Sequence, residues 1–320
     1  MQTLELNKVD NSKIKEFKTC PRKFFYSHVL GWKSQQPNNH LVFGSAWHEA
    51  MEHLLLKGYS QVEVLNAYDK FLTYYRTYFG PETDDFFPSK NPDKAFERLA
   101  QYTAYPEYRQ DLEFFETLHT EIAGSVMIDE KRQLYFRMDA VLKNKYNGKI
   151  RSREHKTGSG SYLWAEQWLL DGQVGTYNHV LNCLYPQDLV DGVEMNGSFF
   201  PKNRKSPAEP KNVFSRFLIK RTNEQMQTWI DNTRFYLWEL EREYSLLNDA
   251  KESDQTLHAF PLRDTSCLNY FRLCEYHDFC MAWANPLRNA YQPPLGFKEE
   301  FWDPTAKPAK EIFNLEVKEY

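Results

Sequence analysis

The sequence predicts an α/β protein with a mixed central β-sheet flanked by helices; two of the following observations lead to this fold class, and the third indicates a metal site. Two extended runs flank Asn147-Gly148, and this arrangement is the strongest short-range signal for a β-hairpin. On both sides of this region, apolar residues recur at the spacing of amphipathic helices. Three of the five cysteines lie close together near the C-terminal end, which is typical of a metal site.

The predicted elements follow in chain order. Ser12 caps a first helix that ends near Cys20, because Pro21 cannot continue it. Apolar residues at helical spacing predict a second helix over 41–56, and residues 60–120 form several helices rich in Tyr and Phe. The predicted strands are 134–144, 149–157, 192–200 and 213–220, and the remaining helices span 164–184 and about 223–247.

We expect one integrated domain over residues 1–292 and a surface tail over 293–320. The length of 320 residues also allows two domains, but a site that joins Cys20 to the late cysteines would favour one. The expected parts are a helical region at about 12–125, a strand-rich core at about 126–222, and a C-terminal helix with the cysteine cluster at 223–280.

Composition excludes several classes of protein. Lys and Arg number 40 against 44 Asp and Glu, so the net charge of −4 excludes a uniformly basic nucleic-acid-binding protein. No stretch approaches the roughly 18 apolar residues of a membrane span. The cysteines are too few for a disulfide scaffold, and the first residues are polar. We therefore expect a soluble protein of the reducing cytoplasm.

The predicted hairpin brings two carboxylates and a lysine to one face. A two-residue loop at Asn147-Gly148 sets Asp139 opposite Lys156 and makes Glu154 a diagonal neighbour of Asp139, about 7–8 Å away. Residues directly opposed in a ladder, and residues two apart in a strand, point to the same face. A shift of the register by one residue would separate these side chains.

Two carboxylates on one face suit a hard divalent cation such as Mg²⁺. A lysine beside them is able to orient or activate an attacking water, or to stabilise negative charge that develops on a phosphate. The alternative is a cross-strand salt bridge between Lys156 and Asp139 without any catalytic role. The hairpin residues alone leave both interpretations open.

Asp139 followed by the run Glu154-His155-Lys156-Thr157 resembles the D…(D/E)xK signature of the PD-(D/E)XK nuclease superfamily. The usual aspartate of the second element is a glutamate here, which that pattern allows. The resemblance implies a restriction-endonuclease-like core and metal-dependent hydrolysis of DNA.

Three further segments resemble motifs of the RecB-like branch, which includes AddB-type nucleases, CRISPR-associated exonucleases and phage relatives. CPRKFFY at 20–26 resembles its cysteine motif, and FGSAWHEAMEHLL at 43–55 resembles its Gly-Ser-x-x-His helix. Gln173 and Tyr177 resemble its QxxxY motif and follow Lys156 at the expected distance. These motifs stand in the order that the branch requires.

The resemblance assigns a role to each of these residues. The implied metal ligands are His48, Asp139 and Glu154, the residue that positions or activates water is Lys156, and Gln173 and Tyr177 orient the DNA strand. The implied ion is Mg²⁺ or Mn²⁺, and an imidazole ligand favours Mn²⁺. A histidine on a helix is, taken alone, more often structural.

The cysteines form a second constellation. Cys267, Cys274 and Cys280 supply three thiolates, and a closed site needs a fourth ligand, for which Cys20 is the candidate. Spacing alone does not separate Zn²⁺ from an iron–sulfur cluster. Some members of the RecB-like branch carry one early and three late cysteines around a [4Fe-4S] cluster, and the resemblance implies that cluster here. Phe271 departs from the branch's commoner pattern of late cysteines.

Three basic segments surround the predicted site, at 13–23, 143–156 and 201–221. They predict a basic side that faces DNA, with aromatic side chains able to stack on unpaired bases. Arg216 is predicted to contact phosphate on the basis of charge alone. The alternative is an ordinary solvated surface.

We therefore expect a DNA exonuclease with a structural cluster, acting in recombination, repair, replication or DNA end processing. Two other functions stay open, a non-catalytic iron–sulfur scaffold that binds DNA and a structure-specific endonuclease. The sequence has no Walker loop, so a helicase or recombination partner would have to unwind duplex DNA.

Overall fold

A computed structural model describes residues 8–201, 213–269 and 272–320. The predicted fold class is confirmed, because a mixed β-sheet of six strands lies between helices. The helices are α1 (Asn11–Thr19), α2 (Pro21–Phe24), α3 (Asn39–Lys57), α4 (Gln61–Arg76), α5 (Pro92–Ala104), α6 (Pro106–Arg109), α7 (Asp111–Phe114), α8 (Glu166–Leu169), α9 (Gly172–Leu184), α10 (Asn223–Asp249) and α11 (His277–Ala282). The strands are β1 (Trp32–Ser34), β2 (Phe115–Met127), β3 (Gln133–Asn144), β4 (Ile150–Gly158), β5 (Val190–Phe199), β6 (Phe214–Ile219), β7 (Leu268–Asn269), β8 (Arg272–Leu273), β9 (Phe297–Glu299) and β10 (Glu311–Leu315).

The central sheet has the strand order β10-β2-β3-β4-β5-β6. The strands β2, β3 and β4 form an antiparallel meander, β5 runs parallel to β4, and β6 returns antiparallel to β5. The parallel step from β4 to β5 needs a crossover, and α8 and α9 lie in that connection. The carboxylates of the predicted site therefore lie on the two strands at the centre of the sheet.

Helices cover both faces of this sheet. One hydrophobic cluster joins α1, α9 and α10 to the sheet, and a second joins α3, α4 and α5. Successive residues of a strand point to opposite faces. On β4, the Lys156 side chain meets α9 and the Arg153 side chain meets the start of α7, so these helices lie on opposite sides.

The hairpin exists, but its register differs from the prediction by two residues. The observed pairs are Ala140 with Arg153 and Val141 with Ser152. The turn is longer than two residues, because the Asn144 side chain accepts hydrogen bonds from the amides of residues 146 and 147. Gly148 then adopts a φ of 71°, which a glycine allows without strain. A shift of two residues preserves the face of every side chain, so the predicted convergence survives it.

Two parts of the predicted layout are wrong. Strand β2 occupies residues that the sequence analysis assigned to helices, and the tail after Pro293 is not a surface arm, because it supplies β9 and β10. Strand β10 extends the central sheet beside β2. Gly124 permits this close approach, since a Cβ at that position would lie 1.7 Å from the Phe313 carbonyl oxygen.

The remaining elements differ little from the prediction. Strands β5 and β6 and helix α10 are confirmed. The first helix begins one residue before the predicted cap, because the Asp10 side chain accepts the hydrogen bond from the Lys13 amide. The predicted helix over 164–184 is divided into α8 and α9, and the Asp171 carboxylate caps α9.

Candidate active site

Three carboxylates lie in a row across the adjacent strands β2, β3 and β4. The β3–β4 register places Asp139 level with Glu154, one position beyond the last backbone pair. The β2–β3 register on either side of Glu121 places that residue level with Asp139. We call Glu121, Asp139 and Glu154 the carboxylate row. Directly opposed residues share a face of the sheet, so the row is a consequence of strand pairing.

Glu121 is the member of the row that sequence reasoning missed, because the predicted helical region extended to about residue 125 and no strand was predicted there. Its backbone adopts a φ of 48°, one of two positive values among the described non-glycine residues. Such conformations cost energy and cluster at functional sites. Burial raises the pKa of Glu121, and the neighbouring Asp139 carboxylate raises it further.

His48 reaches the row from α3, which packs against β2, β3 and β4. Its Nδ1 lies 3.2 Å from Asp139 Oδ1, and its Nε2 donates to the His155 carbonyl oxygen at 2.9 Å. The second contact fixes the ring and directs Nδ1 at the carboxylates, as in many metal sites. Burial lowers the pKa of His48, but the Asp139 carboxylate outweighs it and raises the value to about 9.

Asp139 is held by the chain on one side and by His48 on the other. Its Oδ2 accepts a hydrogen bond of 2.8 Å from the His155 amide. Burial acts to raise the pKa of Asp139, but the adjacent His48 imidazolium holds it below its ordinary value. Asp139 is therefore ionised throughout the physiological range.

Glu154 is only half satisfied. Its Oε1 accepts from Lys156 Nζ at 2.7 Å and from Gln173 Nε2 at 3.0 Å, whereas its Oε2 is buried and has no hydrogen-bond partner. Burial and then Asp139 raise the pKa of Glu154 to about 7. A buried carboxylate oxygen without a partner is costly unless an ion or water completes it.

Lys156, Gln173 and Tyr177 form a hydrogen-bonded chain beside the row. Gln173 Oε1 accepts from Lys156 Nζ at 2.9 Å, and Gln173 Nε2 donates to Tyr177 Oη at 2.7 Å. The Tyr177 hydroxyl donates to the Arg137 carbonyl oxygen. Burial lowers the pKa of Lys156, but the Glu154 carboxylate outweighs it, so Lys156 carries its charge. The structure thus brings all six of the predicted catalytic, metal and strand-orienting residues together.

The donor set fits a hard divalent cation. Ligand atoms of His48, Glu121 and Asp139 lie within 4.8 Å of one another, which is close enough for one ion to bridge them. The unpartnered Glu154 Oε2 belongs to the same row. Carboxylate oxygens suit Mg²⁺ or Mn²⁺, and the imidazole nitrogen tilts the preference toward Mn²⁺.

The site forms the floor of a groove of about 740 Å³. Lys15 and Lys18 of α1 line one wall, and the aromatic side chains of Trp168 and Trp302 line others. Lys156 Nζ lies 5.4 Å from the Trp168 ring centre. The groove therefore combines carboxylates with cations and aromatic rings, and the cations and rings are features of sites that bind single-stranded nucleic acid.

Arg216 lies outside this groove. Its guanidinium donates to the Asp111 carboxylate at 2.7 and 2.9 Å and stacks on Tyr108. Arg216 belongs to a buried ion cluster on the other face of the sheet, which we call the arginine network. Its members are Arg151, Arg153, Arg216, Asp111 and Glu194. The arginine is engaged within the protein, so this geometry gives no support to a contact with phosphate.

The predicted basic side is only partly present. Arg151 and Arg153 of the second basic segment belong to the arginine network, and Arg22 of the first donates to the carbonyl oxygens of Leu257 and Phe260. Lys15 and Lys18 do line the groove. Four cations of the third segment lie outside the described residues, namely Lys202, Arg204, Lys205 and Lys211.

The four candidate cysteines lie in one part of the molecule. The Cys274 amide donates to the Cys267 carbonyl oxygen at 2.8 Å. Burial raises the pKa of Cys280 to about 11, and interactions with Cys20, Cys274 and Cys267 add to the rise. Within the described ranges, however, no three cysteine sulfurs lie within 4.8 Å of one another. Phe271 lies outside those ranges.

Comparisons with known proteins add one finding. A sequence model described as the PD-(D/E)XK nuclease superfamily matches residues 11–281, which is most of the chain. A search of curated proteins finds no match. Among the described residues, no helix is both long and apolar enough to span a membrane.

Proposed function

Because the chain belongs to the PD-(D/E)XK nuclease superfamily, we propose that it is a Mg²⁺- or Mn²⁺-dependent DNA exonuclease. One observation carries the proposal above all others. His48, Asp139 and Glu154 meet Lys156 at the floor of one groove, and the buried Glu154 Oε2 has no partner. An unsatisfied buried carboxylate beside a charged lysine is typical of a site that binds a cation and a phosphate.

The residues divide the work as follows. His48, Asp139 and Glu154 would hold the ion, which would supply Lewis-acid stabilisation of the phosphate oxygens. Lys156 carries its proton, so it would position the attacking water and stabilise the developing negative charge rather than act as a base. Gln173 fixes the Lys156 ammonium at 2.9 Å, and Tyr177 holds Gln173 in turn.

The walls of the groove support action at a strand end. The Lys13 ammonium of α1 lies over the Trp302 ring, 5.3 Å from its centre, and Asp303 pairs with Lys8 at 3.0 Å. These contacts join α1 and the residues just before it to the segment after β9 along one side of the groove. A strand in the groove is confined on that side, which favours a free end over the middle of a rigid duplex.

Cleavage of linear end-labelled DNA with Mg²⁺ or Mn²⁺ tests the activity. Asp139→Asn and Lys156→Ala should each reduce cleavage by about 10²–10⁴-fold. Asp249→Asn and Lys251→Ala are matched controls, since both residues are exposed and lie outside the three basic segments, and they should cleave normally. Normal cleavage by either site variant would refute the assignment, and binding without cleavage under both metals would favour a DNA-binding scaffold.

A covalently closed duplex circle tests the exonuclease. An exonuclease spares the closed circle and degrades the same molecule after linearisation, whereas a structure-specific endonuclease cuts it where its preferred structure forms. Added helicase would increase degradation of blunt duplex DNA if unwinding comes from a helicase or recombination partner, as we propose.

We also propose that Cys20, Cys267, Cys274 and Cys280 hold a [4Fe-4S] cluster. A zinc tetrahedron with bonds of about 2.3 Å needs sulfurs about 3.8 Å apart. Within the described residues no three cysteine sulfurs lie even within 4.8 Å of one another, yet Cys20, Cys267 and Cys274 are near enough to Cys280 to raise the pKa of its thiol. In a cluster each thiolate binds a separate iron, so the wider spacing favours the cluster over Zn²⁺.

Metal and sulfide analysis of protein purified without oxygen tests this assignment. We expect iron and acid-labile sulfide in equal amounts, lost in Cys274→Ser and retained in Cys183→Ser. Cys183 is the matched control, because it lies on α9 and contacts the Glu316 carbonyl oxygen instead. Zinc in place of iron, or no metal at all, would refute the cluster.

A further inference from the structure

The segment between β9 and β10 crosses the active-site edge of the sheet. We call residues 300–310 the C-terminal arm. Trp302 and Pro304 of the arm line the groove. Arg137, beside Asp139 on the groove wall, donates to the carbonyl oxygens of Lys307 and Pro308. Hydrogen bonds from Arg137 to the backbone of the arm therefore hold the arm beside the carboxylate row.

Two lysines of the C-terminal arm form ion pairs with glutamates in and around the carboxylate row. Lys307 Nζ lies 3.7 Å from Glu121 and 3.5 Å from Glu49, and Lys310 Nζ lies 2.7 Å from Glu52. Both α3 glutamates lie next to His48, at one and four positions along the helix. Glu121 is thus the only member of the carboxylate row that forms an ion pair with the arm, within the residues that the structure describes.

Glu121 also has the geometry of a metal ligand. Its carboxylate lies within 4.8 Å of the ligand atoms of His48 and Asp139. Its side chain is 12% exposed, and its pairs with Arg137 and Lys307 are long, at 3.5 and 3.7 Å. The unpartnered Glu154 Oε2, 3% exposed as a residue, independently marks this row as incomplete.

We propose that Glu121 is a further metal ligand of this active site, and that Lys307 of the C-terminal arm balances its charge until the ion binds. The inference rests on the proposed nuclease function and deepens it. A bound cation would take the place of Lys307 beside the Glu121 carboxylate, whose contact with Lys307 is long at 3.7 Å. Arm and cation therefore compete for one carboxylate.

Titration of the full chain with Mn²⁺ tests this directly without DNA. The loss of the electron paramagnetic resonance signal of free Mn²⁺ measures how much of the ion is bound. Glu121→Gln should weaken binding by about 10–100-fold, since ligand charge count sets the affinity of such sites. Glu116→Gln is the matched control on the same strand, exposed to solvent, and should bind as the wild type does. Lys307→Met should tighten binding by about three- to tenfold, because it removes a competing cation.

The variants distinguish the role of Glu121 from the existence of the proposed metal site. Asp139→Asn must weaken Mn²⁺ binding if the proposed metal site exists, and an unchanged affinity would refute that site. A weakened Asp139→Asn with an unchanged Glu121→Gln would refute Glu121 alone as a ligand. Unchanged or weaker binding by Lys307→Met would refute the competition. Glu121→Asp keeps the charge, and aspartate tolerates a positive φ. If this variant folds but binds Mn²⁺ weakly, the full length of the Glu121 side chain is needed to contact the ion.

Discussion

Two charge clusters lie back to back on β4, and they are built on opposite rules. Arg153 and Glu154 are consecutive residues that point to opposite faces of the sheet. In the arginine network, contacts are short, such as 2.5 Å from Arg153 Nε to Glu194 and 2.7 Å from Arg153 to Asp111. In the carboxylate row, one buried oxygen of Glu154 has no partner, and Glu121 makes only long pairs.

The difference separates a structural use of charge from a functional one. A buried ion pair is tolerated when hydrogen bonds satisfy both partners, and it then orders the chain around it. A carboxylate row in which one buried oxygen has no partner and one member makes only long ion pairs is incompletely satisfied in the free protein. Such an arrangement is retained when a ligand from outside the chain completes it.

The largest expected effect is on DNA cleavage, where the same substitution should have different consequences in the two clusters. Glu154→Gln should reduce DNA cleavage on the order of 10³-fold, because it removes a ligand oxygen from the ion. Glu194→Gln, an identical change on the other face, should cleave within about threefold of the wild type at temperatures where it is folded. Equal losses in steady-state rates would show that the two clusters are not distinct.

The second effect has the opposite order and appears in stability. Glu194→Gln should lower the free energy of unfolding by about 3–5 kcal/mol, since it removes one of the two buried carboxylates that balance the charge of Arg153. Glu154→Gln should leave it unchanged or raise it above pH 7, because it relieves crowding of buried carboxylates. Urea unfolding followed by tryptophan fluorescence measures both, and a destabilised Glu154→Gln would contradict the comparison.

Acid unfolding tests how much the ionised Glu194 carboxylate stabilises the fold. The arginines lower the pKa of Glu194 to about 2 despite its burial, from an ordinary value of 4.5. A lowered pKa contributes stability above pH 4.5 that is lost as the pH falls toward 2. The wild type should therefore lose stability over that interval more steeply than Glu194→Gln. Parallel pH profiles of the two proteins would show that the arginines do not stabilise the fold through this carboxylate.

A metal effect of intermediate size should be confined to the carboxylate row. A saturating divalent ion at about 100 times its dissociation constant should add about 2.7 kcal/mol to stability. The gain should be larger at pH 8 than at pH 6, because Glu154, with a pKa of about 7, and His48, at about 9, bind metal only without their protons. Thermal unfolding with Mg²⁺ or Mn²⁺, at the same ion concentration at both pH values, measures this, and Asp139→Asn should lose the gain.

The smallest effect concerns Arg216. Arg216→Lys keeps the charge but loses the two-pronged contact with Asp111, which should cost about 1–3 kcal/mol of stability. Affinity for single-stranded DNA should stay within about twofold. A large loss of affinity with unchanged stability would place Arg216 in DNA binding after all.

The sequence was sufficient where local rules govern structure. The strands around Gly148, the helix α10 and the convergence of Asp139, Glu154 and Lys156 follow from turn chemistry and from the two-residue period of a strand. The register was wrong by two residues, because the Asn144 side chain lengthens the turn. The face of each residue depends only on parity, so that error did no harm.

The sequence was insufficient where distant segments meet. Glu121 joins the row only because β2 pairs with β3, and the sequence analysis had no strand there. The partners of Arg216 lie about twenty to over one hundred residues away along the chain. Charge composition in a single segment therefore could not distinguish a buried network from a surface that faces DNA.

The alternation of charges along β4 disfavours pairing of this strand in the wrong register. If this strand slipped by one residue against β5, Glu154 would take the place of Arg153 and face Asp111 and Glu194. Three carboxylates would then be buried together, and such a sheet would be rejected by several kcal/mol. The positions of Asp139, Glu154 and Lys156 are thus enforced by residues on the opposite face of the sheet from the groove.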